Sequence, residues 1–355
     1  MSGPGPADVV SVGLATAVGL DTRMAEPAVR AGICRFRESP YRDLANQPQV
    51  MSLVPDEFLP TECRWRGRKT SGALRRGRIL ELGGMALAEA ARHLKEPAPL
   101  FLALGEGFEP SHRKDPEAER MLRDLARSAG VTIDEALSRV FRNGGAGGLA
   151  ALCDALTLAN ERRGAPVIVG AADSFFDLPR LDALDAEGRL SGRSSDGFIP
   201  GEAAAFLVLT TPGAGKRLGL EPLARVLGAA VGEERGHRYS EEPYRGDGLA
   251  RTFQALFVQT SVRDRVRTVY AGLNGESFPA KEWGVAYLRS AEKFAPDLAI
   301  EHPADRMGDA GAALGLAMLV LAALGIRKGH CAAPCLVWST SDREARAAAL
   351  LDRAG

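Results

Sequence analysis

The sequence has no excess of charge of either sign. Its 355 residues include 45 lysines and arginines and 45 aspartates and glutamates, so the formal net charge at pH 7 is zero. A neutral chain without a basic block offers no electrostatic attraction to nucleic acid or to an anionic membrane surface. We therefore expect neither as a partner.

Cysteine is also scarce, with five residues scattered along the chain: Cys34, Cys63, Cys153, Cys331 and Cys335. An odd and sparse set favours free thiols in a reducing compartment over a disulfide framework. Cys331 and Cys335 have no second pair or histidine cluster nearby to complete a zinc site, so we predict no metal. Residues 1–6 lack the basic and then apolar pattern of a secretion signal, which predicts a cytoplasmic protein.

Apolar runs long enough to span a membrane are also lacking. The longest run, AGAALGLAMLVLAALGI over residues 310–326, falls slightly short of the roughly 20 residues that a span needs, and it is rich in glycine and alanine. We predict that it forms a helix buried on all sides within a layered core, and that the chain has no membrane span.

Short apolar segments alternate with segments of helical periodicity, which implies largely parallel sheets covered on both faces. After a Gly/Pro break at residues 212–219 the pattern begins again, which predicts two duplicated halves at 1–215 and 216–355. Residues 38–60 carry four prolines and predict a surface excursion. The predicted strands are 9–15, 99–104, 166–172, 204–209, 223–230, 267–271, 297–301 and 334–339; the predicted helices are 70–95, 116–129, 149–163, 249–259, 283–290, 310–326 and a tail helix from Asp342.

Residues 141–152, FRNGGAGGLAAL, place five small residues at a predicted strand-to-helix junction. Backbone amides at such a junction can bind an anion. Gly145, Gly147 and Ala150 also satisfy the dinucleotide pattern G-x-G-x-x-A, with Asp173 as a possible ribose partner. One hypothesis is therefore an NAD(P)-dependent oxidoreductase. A second interpretation of the glycines is close packing of the helix against the opposite half or another subunit.

Three segments in chain order resemble the beta-ketoacyl synthase branch of the thiolase superfamily. They are VIVGAADS at 167–174, LSGRSSDGFIPGEAAAFLVL at 190–209 and GDAGAALGL at 308–316. The resemblance implies an α/β protein with the thiolase-like fold: two duplicated αβ halves with central mixed sheets and a buried central helix. The dinucleotide hypothesis leaves the second segment unexplained.

The second segment contains the residues to which we assign a structural role: Asp196, Phe198, Gly201 and Glu202. Asp196 precedes a glycine, which suits a tight turn. Glu202, at the start of a strand, would be buried and would need backbone amides or an arginine as partners. The resemblance implies a clamp that joins the two halves.

The resemblance also identifies the positions where a ketosynthase carries its catalytic residues. Such an enzyme needs a cysteine at the N-terminus of a buried helix and two basic side chains, usually histidines. These positions correspond to Gly145, Asn274 and Asp309 here, and the expected Gly-Phe-Gly-Gly turn is replaced by STSD at 339–342. The nearest thiol, Cys153, has apolar neighbours and is expected to pack rather than to react.

We therefore predict a pseudoenzyme that lacks the Cys-His-His triad and acts as a non-catalytic binding or scaffold subunit. The resemblance implies a homodimer, or a heterodimer with a related subunit. Its precedents are chain-length factors and ketosynthase-like accessory proteins of bacterial contractile secretion systems. No cofactor is expected. The residues that could still bind a ligand are Gly144, Gly145, Ala146, Gly147, Asn274, Glu276 and Asp309.

Three alternatives remain open. A working acyltransferase could use Asn274, Glu276 and Asp309 around a thioester held by an acyl carrier protein. His302, with Asp305 and Asp309 downstream, could be a general base, although a surface histidine is the simpler interpretation. The basic residues Arg75, Arg76 and Arg78 predict a solvated helix face, or a docking site for an acidic partner.

Overall fold

The structure is a computed structural model that describes residues 4–65, 71–105, 116–162, 164–192, 195–260 and 262–355. Thr70 and Arg163, the predicted first residue of one helix and last residue of another, lie outside these ranges. So do residues 1–3 of the opening segment and residues 193–194 of the second ketosynthase-like segment.

Within the described residues the chain alternates strands and helices as the sequence predicts. The strands are β1 (Ala7–Thr16), β2 (Arg37–Arg42), β3 (Pro48–Met51), β4 (Leu100–Leu104), β5 (Arg139–Phe141), β6 (Val167–Ser174), β7 (Glu202–Thr210), β8 (Ala224–Glu233), β9 (Val266–Ala271), β10 (Phe294–Glu301), β11 (Cys335–Thr340) and β12 (Ala345–Asp352). The helices are α1 (Thr22–Arg30), α2 (Ser71–Ala91), α3 (Pro116–Ser128), α4 (Gly147–Glu161), α5 (Leu178–Ala186), α6 (Asp247–Thr260), α7 (Ser277–Arg289), α8 (Ala304–Met307) and α9 (Leu314–Lys328).

Ten strands form one continuous mixed sheet, in the order β10-β9-β11-β12-β8-β1-β7-β6-β4-β5. The two central sheets expected from the resemblance are thus joined along one short antiparallel contact, where Ala7 to Val9 of β1 pair with Ala224 to Val226 of β8. The remaining strands, β2 and β3, form a separate antiparallel ribbon within the predicted surface excursion.

The two halves of this sheet repeat the same topology. From its outer edge, each half has its third strand, then its second, fourth, fifth and first. In each, the three outer strands run parallel and the two inner pairings are antiparallel. This repeat confirms the duplicated architecture, while the division at residue 215 stays a prediction.

Helices α4 and α9 lie between the two halves of the sheet. Helix α4 contacts β4 and β6 of the first half and β8 and β12 of the second, and α9 contacts β9 and β11 as well as β1 and β7. Among the described residues one stretch, Gly311–Lys328, is long and apolar enough to cross a membrane, and 89% of it is buried inside the fold. Because it contacts strands rather than solvent, its apolar composition is explained by the core.

The predicted tail helix from Asp342 is wrong. Residues Ala345–Asp352 form β12, which pairs antiparallel with β11 on one side and with β8 on the other. Alanine-rich sequence favours a helix locally, but pairing along both edges and burial outweigh that preference. Arg346 is fully buried in this strand, and its Nε lies 2.7 and 2.9 Å from the two carboxylate oxygens of Glu282 in α7.

The predicted solvated basic face on α2 is also wrong for two of its three arginines. Arg78 is 1% exposed, and its Nε and Nη2 donate to Glu202 at 2.8 and 2.6 Å. Arg75 donates from Nη2 to Asp173 at 2.8 Å. These side chains turn inward because buried carboxylates on β6 and β7 need positive partners.

Candidate functional site

The buried helices α4 and α9 begin with the same backbone turn. Gly144 and Gly311 have φ of 53° and 54°, a left-handed conformation that favours glycine, and each opens a short 3-10 turn before its helix. The preceding residues also match, with φ/ψ of −108°/32° at Asn143 and −102°/22° at Ala310. Each half of the duplicated fold therefore presents one helix N-terminus to the centre of the molecule.

Glycines at these helix starts allow close packing. A Cβ on Gly145 would lie 2.3 Å from the carbonyl oxygen of Thr340, at the end of β11. A Cβ on Gly148 would lie 2.8 Å from Leu316 Cγ and 3.1 Å from the carbonyl oxygen of Ala312. Real Cβ contacts are longer than these, so the packing interpretation of the glycine run holds for both residues.

Asn274 and Asp309, the other two residues that the resemblance aligns with catalytic positions, lie together at one end of the sheet. The side-chain amide of Asn274 donates to Asp309 Oδ2 at 2.8 Å and to Glu276 Oε2 at 3.2 Å. Asp309 Oδ1 accepts a hydrogen bond from the backbone N–H of Gly311 at 2.8 Å. The fold thus brings Asn274, Glu276 and Asp309 together next to the start of α9.

Two arginines complete a network of charges around these residues. The guanidinium of Arg189 binds Glu276 through Nε and Nη2 at 2.8 and 2.9 Å, and binds Asp342 through Nη1 and Nη2 at 2.9 Å each. Arg238 donates to the same two carboxylates at 2.9 and 3.2 Å. Two positive and two negative side chains therefore balance each other at the site, and the paired geometry is of the strong, charge-assisted kind.

These residues surround a cavity of about 80 Å³. Small-molecule sites usually begin at about 300 Å³, so this space holds a few water molecules and little more. None of the described residues that line it is a cysteine, histidine or lysine. The lining residues are Gly144, Gly145, Phe175, Arg180, Arg189, Phe198, Arg238, Gly272, Asn274, Glu276, Phe278, Pro279, Asp309, Gly311, Leu314, Ser339, Thr340, Ser341 and Asp342.

The pKa values of the two aspartates at this cavity are shifted in opposite directions. Burial raises the pKa of Asp309 above its ordinary value, although hydrogen bonds from Asn274 and the Gly311 amide oppose the shift. Burial would raise the pKa of Asp342 too, but the positive charges of Arg189 and Arg238 outweigh it and hold that pKa below its ordinary value. Asp309 thus carries its proton more readily than Asp342.

Of the residues predicted to bind a ligand, two lie away from the cavity. Ala146 is fully buried in the core, and a Cβ on Gly147 would lie 3.4 Å from the side chain of Ala103. Both belong to the layer between the two halves of the sheet, where α4 lies. Gly144, Gly145, Asn274, Glu276 and Asp309 do line the cavity, and ligand binding by them stays a prediction.

Neither Cys153, the thiol nearest to Gly145 in the sequence, nor His302, the candidate general base, lines this cavity. Cys153 donates from Sγ to the carbonyl oxygen of Ala229 at 3.5 Å, and burial raises the pKa of its thiol. His302 pairs with Asp305 at 3.0 Å on a different surface of the protein, where it is about half exposed. Asp309 is not its partner, because its carboxylate faces Asn274 and the Gly311 amide.

Asp173 is not free to bind a ribose. It is fully buried, and it accepts hydrogen bonds from Arg75, Arg180 and the backbone N–H of Ala312. Burial raises the pKa of this carboxyl, but the two arginines and the amide outweigh it and lower the pKa. Because the carboxylate is occupied and Thr340 closes the space at Gly145, the structure does not support the dinucleotide hypothesis.

The second ketosynthase-like segment, at residues 190–209, has two structural roles rather than one. Glu202 accepts from Arg78, from the Ser174 hydroxyl at 2.8 Å and from the Val54 amide at 2.8 Å. All these partners lie within residues 1–215, so Glu202 does not join the halves. It holds β7 to α2, and its arginine and backbone-amide partners are of the predicted kinds, whereas the Ser174 hydroxyl was not predicted.

The residues beside Glu202 do connect the halves. Gly201 donates its amide to the carbonyl oxygen of Asp309 at 2.8 Å, and Asp309 donates its amide to Ile199 at 2.8 Å. Asp196 accepts from the amide and the hydroxyl of Ser277, at 2.5 and 2.7 Å, at the start of α7. Phe198 is 2% exposed and packs edge-on against Phe175.

Sequence reasoning missed Arg180, Arg189 and Arg238. Each lies among other charged residues in the sequence, and nothing local distinguishes it from an arginine on the surface. Arg189 directly precedes the second ketosynthase-like segment, which is the one signal that could have drawn attention to it. Its partners, Glu276 and Asp342, lie in the other half of the chain and become neighbours through the fold alone.

No protein-family profile matches the sequence. Solved structures match over nearly the whole chain. The ketosynthase from module 6 of the bacillaene synthase from Bacillus subtilis 168 has a TM-score of 0.76 at 14% identity, over 98% of this chain and 72% of its own. The ishigamide ketosynthase/chain length factor has a TM-score of 0.76 at 17% identity, over 99% of this chain and 100% of its own.

A third similar structure is a type II PKS acyl-carrier protein in complex with its ketosynthase bound to the hexaketide. The match has a TM-score of 0.77 at 16% identity and covers 99% of this chain and 100% of that one. At identities this low, the similarity shows the fold alone. The chain has the ketosynthase form of the thiolase fold, as the three sequence segments indicate.

Proposed function

We propose that this protein is a ketosynthase-like pseudoenzyme, which acts as a non-catalytic binding or scaffold subunit in the cytoplasm. The observation that carries the proposal is the start of α4. Gly145 occupies the position of the nucleophile, and the Thr340 carbonyl oxygen lies 2.3 Å from the place where any side chain would begin. The helix N-terminus that would lower the pKa of a cysteine has no thiol to act on.

The rest of the cavity supports the same conclusion. Decarboxylative condensation needs two basic groups to stabilise an enolate, and the corresponding positions hold an amide and a carboxyl, Asn274 and Asp309. The three arginines that line the cavity are already paired with carboxylates, Arg189 and Arg238 with Glu276 and Asp342, and Arg180 with Asp173. An enolate would meet no uncompensated positive charge there.

The remaining space also argues for a scaffold rather than a transferase. A cavity of about 80 Å³ is too small for an acyl thioester. Chain-length factors are expected to keep more of an acyl tunnel than this, so the closed cavity favours a role like that of the secretion-system accessory proteins. In either case we propose that the protein forms a homodimer or pairs with a related subunit. One similar structure pairs a ketosynthase with a chain length factor by its name, and another contains an acyl-carrier protein.

The first test is acyl transfer. We would incubate the full chain with labelled acyl-CoA and with acyl-carrier protein donors, beside an active ketosynthase as the positive control, and search for adducts by intact mass. We expect no acylated protein and no condensation product. Because Cys34 is exposed, the Cys34→Ser variant is the matched control that separates chemical acylation of a surface thiol from enzymatic acylation. A stable acyl-enzyme on any other cysteine would overturn the proposal.

One observation keeps an acyltransferase as the second candidate. Asn274, Glu276 and Asp309 are hydrogen-bonded together at the cavity, and the raised pKa of Asp309 would let it donate a proton. An enzyme of this kind would turn over acyl-carrier donors without a covalent intermediate. Product formation that is lost in Asp309→Ala would establish it, and an absence of product in the wild-type protein would remove it.

The second test concerns assembly. Light scattering after size exclusion would give the mass of the purified protein, and we expect a dimer. If the protein is monomeric alone, co-expression with a ketosynthase subunit from the same source should give a stable complex. A monomer that forms no such complex would leave the scaffold role without a partner and would contradict this part of the proposal.

A further inference from the structure

A second and larger cavity lies far from the remnant catalytic cavity in the fold. Its volume is about 570 Å³, within the usual range for a small-molecule site. Its walls come from α1, the strands β9 and β10, the loop before α8, helix α9 and the turn that follows α9. Its lining includes Glu26, Tyr270, Leu321, His330 and Cys331.

Charged side chains hold the turn after α9 against α1. Glu26 of α1 is 2% exposed, and its carboxylate lies 3.0 Å from His330 Nε2 and also contacts Lys328. This ion pair fixes the turn beside the cavity. Tyr270 and Leu321 line the same cavity, so its wall combines charged and apolar side chains.

A pair of thiols lies where this turn meets β11. Cys331 is 4% exposed and lines the cavity, whereas Cys335, the first residue of β11, is fully buried and does not line it. The two cysteines are four residues apart in the chain, and their side chains interact, since each shifts the pKa of the other, downward for Cys331 and upward for Cys335. One member of the pair is therefore open to small molecules in the cavity, and the other lies behind it.

This pair differs from the other thiols of the chain. The interaction with Cys335 lowers the pKa of Cys331 against the effect of burial, whereas burial raises the pKa of Cys153. Cys63 is buried next to Gly77 on α2, and Cys34 is exposed without a second cysteine beside it. Thiolate character and access meet at Cys331, and these two properties control thiol oxidation.

We propose that Cys331 and Cys335 form an oxidisable dithiol that a hydroperoxide reaches through this cavity. With hydrogen peroxide, the Cys331 thiolate attacks one peroxide oxygen, the O–O bond breaks, and Cys331 becomes a sulfenic acid. The other oxygen leaves as hydroxide and takes up the proton that the Cys331 thiol lost on ionising, which gives water. Cys335 then attacks the Cys331 sulfur, the S–O bond breaks, and the departing hydroxide takes the Cys335 proton to leave as a second water. Two thiols lose two electrons to the peroxide, and one disulfide closes the turn between α9 and β11.

The sequence makes this disulfide easy to detect. Trypsin cleaves after Lys328 and Arg343, so both cysteines fall in the single peptide 329–343, while each of the other three cysteines falls in a different peptide. We would treat the native full chain with hydrogen peroxide, block free thiols under denaturing conditions and map the peptides by mass. The expected result is a peptide 329–343 that has lost two hydrogens and carries no blocking group, at doses that leave Cys153 reduced.

Variants in a Cys34→Ser background separate the two steps and prevent disulfides between molecules. In Cys335→Ala, Cys331 should stop at the sulfenic acid and react with dimedone, and in Cys331→Ser, Cys335 should stay reduced. Thermal unfolding shows whether each variant is folded; if the buried Cys335→Ala change prevents folding, the wild-type and Cys331→Ser arms still decide. The proposal is overturned if both cysteines stay blockable at doses that oxidise Cys34 in the wild type. It is also overturned if Cys331 reaches the sulfinic acid while Cys335 stays reduced.

Discussion

The carbonyl oxygen of Thr340 lies 2.3 Å from the position that a Cβ on Gly145 would occupy. The end of β11 therefore closes the start of α4, at the place where the resemblance to ketosynthases puts the nucleophile. Glycine is the residue that lets these two backbones approach so closely. A side chain at this position would therefore require the end of β11 to move.

Restoring the nucleophile should not restore activity. The Gly145→Cys variant forces a side chain against the Thr340 carbonyl, and overpacking of a buried site costs about 1–3 kcal/mol of unfolding free energy. Even if β11 moves aside, neither Asn274 nor Asp309 supplies a positive charge that would stabilise an enolate. We expect a less stable protein without acyl transfer, measured by urea unfolding and by the labelled-donor assay.

The steric part of this prediction is tested by Gly145→Ala, with Gly284→Ala as the matched control. Gly284 lies inside α7, and a Cβ there would have no neighbour within 4 Å. Replacing glycine by alanine in a helix interior stabilises by about 0.5–1 kcal/mol. Opposite signs for Gly145→Ala and Gly284→Ala would confirm that close approach, rather than the loss of a glycine as such, is responsible. A neutral Gly145→Ala would contradict the packing interpretation.

Arg189 should be a major contributor to stability. Its removal in Arg189→Met leaves Glu276, which is 4% exposed, and Asp342 with Arg238 as their one remaining arginine partner. Breaking a buried ion pair from one side costs about 3–5 kcal/mol. The exposed pair Arg267–Asp297 is the control, since Arg267→Met should change the unfolding free energy by less than about 1 kcal/mol. Equal effects of the two variants would refute a special role for the network.

Asp173 predicts a pH dependence of stability. Its pKa in the folded protein is lowered below the ordinary value of about 3.9, so it contributes stability above that pH. This contribution is lost as the pH falls through the folded-state pKa. The Asp173→Asn variant should therefore lose about 3 kcal/mol at pH 7. The difference from the wild type should shrink below about pH 4. Chemical unfolding across that range would measure it, and a difference independent of pH would mean that charge is not the cause.

Asp196 should act as a helix cap that crosses between the halves. Its carboxylate accepts from the Ser277 amide and hydroxyl at the start of α7. Replacing such a cap by alanine costs about 1 kcal/mol. Asp21→Ala, which removes the cap of α1, offers a comparison within one half. If Asp196→Ala leaves the unfolding free energy unchanged, the cap does not contribute to joining the halves.

Much of the frame could be predicted from the sequence because its signals are local. The buried strands at β1, β6 and β7 are continuous apolar runs, and the residues of α9 are apolar on every side. The tail failed for the same reason. The segment ARAAALLD has a composition typical of a helix. No local sequence pattern reveals that it pairs with β8 on one side and β11 on the other.

The site also has residues that the sequence could predict and residues that it could not. The resemblance placed Gly145, Asn274 and Asp309 at corresponding positions, and the fold does bring them to one cavity. Arg189 and Arg238 could not be found in this way. Their importance comes from carboxylates far away in the chain, and a single arginine in a polar stretch looks the same whether it faces solvent or Glu276. The closing of the cavity by Thr340 is a backbone effect that no side-chain pattern records.

The first strand has a consequence for biosynthesis. All ten residues of β1 are buried, and both of its neighbours, β7 and β8, are made much later in the chain. At ordinary rates of translation this apolar segment emerges from the ribosome roughly ten to forty seconds before the end of β7 has been made. During that interval its edges are open to any other unpaired strand. Nascent chains should therefore depend on chaperones, and expression at lower temperature or with a holdase should raise the soluble yield.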